Sequence, residues 1–99
     1  VNEAIEVVIF KAKAGVSEDQ ICAAALAVTP IRSEMLGFIY REFGMSEDGQ
    51  YIDIVRWKDM PSAKAAAEKV MSIPKCGEFF SLIDQSQMQF MHYTRVSNA

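Results

Sequence analysis

Strand-type and helix-type periodicity alternate along this chain in the order β-α-β-β-α-β, with one extra apolar helical piece before the last strand. That order restricts the fold more than any single motif does. Each of two helices has to carry the chain back across a sheet, and right-handed crossovers put both on the same face. The expectation is an α+β fold: a ferredoxin-like βαββαβ unit with a four-stranded antiparallel sheet. At 99 residues it forms a single domain, residues 1–99,.

The segments read as follows. Residues 4–12, AIEVVIFKA, are β-branched and aromatic and predict the first strand,. Ser17-Glu18-Asp19-Gln20 has the pattern of a capping box,. The helix it opens places Ile21, Ala25 and Val28 on one stripe and is expected to end near Pro30, with one further turn over residues 31–35,. Strands follow at 36–43 and 51–58, joined by the turn SEDG at 46–49,. Asp59 is placed to cap a second helix, with Pro61 in its first turn and a small-residue face of Ala63, Ala66, Ala67 and Val70,. Pro74 ends it. Phe79, Phe80, Leu82 and Ile83 then close one end of the core before a last strand over 87–96.

Two helices cover only one face of such a sheet. A solvated second face would make one parity of every strand polar. Instead the first strand offers Val8 and Phe10 on one side and Ile5, Val7 and Ile9 on the other. The last strand offers Met88 and Phe90 opposite Met91 and Tyr93. An apolar open face predicts a second sheet against it, and a twofold homodimer is the simplest source.

Charge and cysteine usage narrow the function classes. The formal net charge is −3 and no basic run occurs, which argues against nucleic acid and anionic membranes as partners,. No RNP-type pattern of basic and aromatic residues lies on the central strands. No apolar run approaches the ~20 residues of a membrane span, and the first residues lack a signal-peptide pattern. Cys22 and Cys76 share no CxxC spacing and are expected to be reduced, which points to the cytoplasm,. With one histidine, His92, and no Cys/His cluster, no metal site is expected,.

The third strand carries the candidate chemistry. YIDIVRW sets Asp53 on the same face as Tyr51, Val55 and Trp57, a carboxylate within an apolar row,. Asp53 and His92 are the candidate catalytic groups, as a base or hydrogen-bond acceptor and as the sole histidine,. Trp57, Tyr40, Arg41 and Tyr51 are the candidate substrate-binding residues, Arg41 also being a partner for Asp53. The bland alternatives are a salt-bridged Asp53 and a core Trp57. Glu6 is expected to pair with Arg56 or Lys58.

LGFIYREF resembles the "Gly-aromatic-x-x-x-Glu" second strand of the dimeric α/β-barrel superfamily, and of its antibiotic-biosynthesis-monooxygenase-like (ABM-like) members in particular. DIVRWKDMPSAKAAAEKVM is similar to the strand of that family that ends in Trp and leads into an Ala-rich helix, and FFSLID is similar to the segment that follows. The resemblance implies a barrel made from two protomers, with a pocket between helices and sheet in each. It also implies a cofactor-independent monooxygenase acting on a small hydrophobic or aromatic compound. The alternative is a non-catalytic small-molecule-binding homodimer. In some relatives an asparagine lies four residues before the tryptophan; here Asp53 stands there. The haem-degrading branch has a histidine about ten residues beyond the tryptophan, where this chain has Ala65-Ala66-Ala67. No cofactor is expected.

Overall fold

A computed structural model describes residues 2–98. Four strands, β1 (Ala4–Phe10), β2 (Phe38–Met45), β3 (Tyr51–Trp57) and β4 (Gln89–Thr94), form one antiparallel sheet in the order β2-β3-β1-β4. Helix α1 (Glu18–Ser33) connects β1 to β2, and α2 (Met60–Val70) with α3 (Pro74–Ser81) connects β3 to β4. Each connection skips the strand between, so the topology is the ferredoxin-like one.

Local chemistry sets the element boundaries. Ser17 Oγ accepts the Gln20 N–H at 3.1 Å, and Gln20 Oε1 accepts the Ser17 N–H at 2.9 Å, completing the capping box,. At α2, Asp59 Oδ1 accepts the Ser62 N–H at 2.8 Å, and Pro61 occupies the first turn,. Hydrogen bonds from Ser62, its side chain first and its N–H second, hold the Asp59 carboxyl below its ordinary range. Gly37, just before β2, adopts φ +87°.

One boundary departs from expectation. Helix α1 does not end near Pro30 but runs through it to Ser33. Pro30 lies on the exposed side of the helix, where the Leu26 carbonyl it leaves without a helical partner can meet water. Ile31 and Met35 pack against the core. That tertiary packing offsets the local cost of proline. The consequence is positional: Arg32 completes the buried stripe begun by Ile21, Ala25 and Val28.

Burial alternates strictly along β1 and β3. The helix-covered face takes Ala4, Glu6, Val8 and Phe10 from β1, and Tyr51, Asp53, Val55 and Trp57 from β3. The apolar members fall into two core clusters. One holds Val8, Phe10 and Tyr51 under α1 and α3; the other holds Ala4, Val55 and Trp57 under α2. Glu6 and Asp53 sit at the seam between them, each flanked along its own strand by a residue of either cluster.

Candidate functional site

The seam is a buried charge cluster. Glu6 and Asp53 lie on adjacent strands, with Glu6 opposite Val55 and Asp53 opposite Val8, so their side chains are diagonal neighbours on one face,. Arg41 reaches Asp53 from β2 and makes a bidentate pair: Nε donates to Oδ1 at 2.8 Å and Nη2 to Oδ2 at 2.7 Å. Its Nη1 donates to the Thr29 hydroxyl at 2.8 Å and to the Ala25 carbonyl, tying β2 to α1. The guanidinium also lies 5.7 Å from the Phe43 ring centroid and 5.8 Å from that of Phe79,. All of its nitrogens are engaged.

Arg32 is engaged differently. Its Nη1 lies 3.7 Å from Asp53 Oδ2 and 3.9 Å from Glu6 Oε2, which is ion-pair range but beyond hydrogen-bond reach,. On the other side, Trp57 Nε1 donates to Glu6 Oε1 at 3.1 Å, and His92 Nε2 stands 3.9 Å from that same oxygen. His92 is opposite Glu6 in the β1–β4 register.

A cavity of about 390 Å³ opens beside the cluster, between the sheet and α2 and α3. Val8, Val70, Phe79, Ile83, Met88 and Phe90 give it apolar walls. Glu6, Arg32 and Asp53 line it as one polar corner, while Glu68 and Gln85, both exposed, are the remaining polar lining. An apolar chamber with a few convergent charged groups is the usual form of a small-molecule site.

The structure brings together some of the nominated residues. Asp53, Arg41, Trp57 and His92 all join the cluster, and Asp53 also lines the cavity. Tyr51 shares their face but belongs to an aromatic stack, 5.3 Å from Phe10 and 5.7 Å from Phe43 between centroids. Burial pushes its phenol pKa up, with smaller contributions from Cys22 and Glu18. Tyr40 is a correction: opposite Arg56 in the register, it projects from the other face, its ring 4.8 Å from the Arg56 guanidinium and away from the cavity.

Glu6 and Arg32 are the functional candidates that residue-by-residue reading missed. Glu6 does not pair with Arg56 or Lys58. Arg56 is on the open face with Glu3, at 3.4 Å, whereas Glu6 points inward to Trp57 and Arg32. The parity of β1 carried that signal, since Glu6 shares the Val8 and Phe10 side. For Arg32 the signal was the i, i+4, i+7, i+11 stripe, hidden by the proline. Cys22 and Cys76 are free. Burial raises the Cys76 pKa although Arg32 and Arg41 oppose it, so the thiol stays protonated,. Among the described residues no group of three or more His, Cys, Asp or Glu could hold a metal ion, and no helix is long and apolar enough to cross a membrane.

No protein-family model matches the chain, and no curated protein does. Solved structures do match. SnoaB, a cofactor-independent oxygenase from Streptomyces nogalater, superposes with a TM-score of 0.82 at 14% identity, over 99% of this chain and 97% of that one. A proposed antibiotic biosynthesis monooxygenase from Nitrosomonas europaea gives 0.79 at 11% identity, over 98% and 93%. Another from Bordetella bronchiseptica gives 0.75 at 13%, over 98% and 100%. At such identities the likeness is one of fold: the chain has the fold of the ABM-like proteins.

Proposed function

We propose that this protein is a cofactor-independent monooxygenase that takes a small aromatic or otherwise hydrophobic molecule into the cavity between its sheet and its helices. The observation that carries this reading is the apolar chamber with Glu6, Arg32 and Asp53 gathered at one corner. Oxygenation without a cofactor needs a substrate that forms a stabilised carbanion, so the protein has to take a proton and hold the anion. In this reading Glu6 takes that proton: it lines the cavity, and its Oε2 lies 3.9 Å from Arg32 Nη1, beyond hydrogen-bond reach,. His92, whose Nε2 is 3.9 Å from Glu6 Oε1, then relays the proton outward in this reading. Asp53 acts as a positioning residue, because Arg41 occupies both of its oxygens. For a methylene between aromatic rings, the carbon gains one atom of dioxygen as a carbonyl, and the other atom leaves as water with the two hydrogens.

The cavity residues are tested with anthrone as the substrate, following oxygen uptake and quinone absorbance in the presence of a chelator. The wild type should accelerate both, and Glu6→Gln should lower the rate by about 100-fold or more. A rate no higher than that of heat-denatured protein removes the enzyme reading. An aromatic molecule that binds and is recovered unchanged identifies the non-catalytic binding homodimer instead. The homodimer itself is part of this reading, supported by the apolar open face, where Ile5, Val7, Ile9, Ile52, Ile54 and Met91 are only half-buried.

A further inference from the structure

The geometry points to Arg32 as the recognition group for an ionised oxygen on the bound molecule, so that the cavity selects an apolar body bearing one anionic oxygen group: an enolate, a phenolate or a carboxylate. The inference rests on the small-molecule reading above and deepens it. Two guanidiniums are buried in the cluster, and they differ. Arg41 has every nitrogen bonded within the protein. Arg32, with its side chain 4% exposed, has no hydrogen-bond partner for Nε or Nη1 among the described residues, yet it lines the cavity.

A buried cation with unused N–H donors is costly, and an acceptor arriving in the cavity relieves that cost. The flanking carboxylates, at 3.7 and 3.9 Å, hold Arg32 in place without consuming those donors. Arg32 and Arg41, the latter behind the cavity lining, balance Glu6 and Asp53 in formal charge, so the cluster as a whole is neutral, while the exposed Glu68 adds one carboxylate to the lining. His92 Nε2, buried and also without a hydrogen-bond partner among the described residues, stands on the far side of Glu6. Charge-assisted bonds to a guanidinium exceed those to a neutral carbonyl, and apolar walls strengthen the difference. Among the described lining residues Arg32 is the only cation, which suits a ligand with a single negative charge.

The test is calorimetric titration of the protein with 2-naphthoate and with 2-naphthamide, which share shape and differ in charge. The wild type should favour the anion by about tenfold or more. Arg32→Met should erase the preference while leaving naphthamide affinity within about threefold, and Arg32→Lys should restore part of it. In wild-type protein carrying ¹⁵N-arginine, the Arg32 Nε–H resonance should move with naphthoate and not with naphthamide, an observation that needs no variant to fold. Equal affinity for the two compounds, or a preference that survives Arg32→Met, overturns the inference and leaves the cavity reading standing. Failure of both compounds to bind overturns both.

Discussion

Asp53 shows how one side chain is committed by its neighbours. Both of its oxygens accept from Arg41, and its side chain is 1% exposed. Asparagine is nearly isosteric but has one acceptor oxygen, and its amide would face a guanidinium donor. Asp53→Asn would also leave Arg32 and Arg41 buried against Glu6 alone. Breaking a buried pair from one side costs about 3–5 kcal/mol, and urea denaturation should show a loss of that size. Removing both partners, as Asp53→Leu with Arg41→Met, should recover most of it. A double variant as unstable as the single one would mean that the pair is not the unit. At this scale the sequence was partly legible. The alternation of β3 alone put Asp53 with Tyr51, Val55 and Trp57, and Arg41 was a nameable partner. Glu6 is visible by parity but its partners are not: Arg56 is next to its position in the strand pairing yet lies on the other face, and Lys58 lies beyond the end of β3.

The elements were legible where local chemistry and tertiary packing agree, as at the Ser17 capping box and the Asp59 cap. They were not where the two conflict. Pro30 is a local stop signal, and the helix passes it because Arg32, Ile31 and Met35 have partners beyond it. No local pattern displays that. The link from α1 to β2 then turns at Gly37, whose φ of +87° brings it against the start of α2. A Cβ there would stand 2.6 Å from Ser62 Oγ and 2.7 Å from Ser62 Cβ. Gly37→Ala meets two separate penalties, the left-handed backbone and the overlap, each on the order of 1–3 kcal/mol. Thermal unfolding should register their sum. Adding Ser62→Gly should relieve the overlap and leave the backbone term, so the double variant melts between Gly37→Ala and wild type. Full recovery would show that the backbone conformation is no constraint.

For the whole molecule, the proposed dimer turns on the open sheet face. Ile54 sits near its centre, on β3 between Val7 of β1 and Glu42 of β2. Tyr93 is 51% exposed on the β4 edge of the same face. A row of isoleucine, valine and methionine side chains is a poor surface to leave in water, and two such faces are self-complementary under a twofold axis. A stable pair needs about 1,000 Å² or more of buried surface. The sequence expressed this through parity: both sides of β1 and β4 are apolar, which a sheet with one solvated face does not require. The protein should therefore elute with light scattering at twice its chain mass, and its melting temperature should rise with concentration. Ile54→Lys would place a charge at the middle of the buried area and should shift the mass toward that of one chain, with the concentration dependence lost. Leu26→Lys, on α1 at a position 66% exposed, should change neither. A wild type that remains at single-chain mass throughout the concentration series would remove the dimer, and the apolar face would then need another partner.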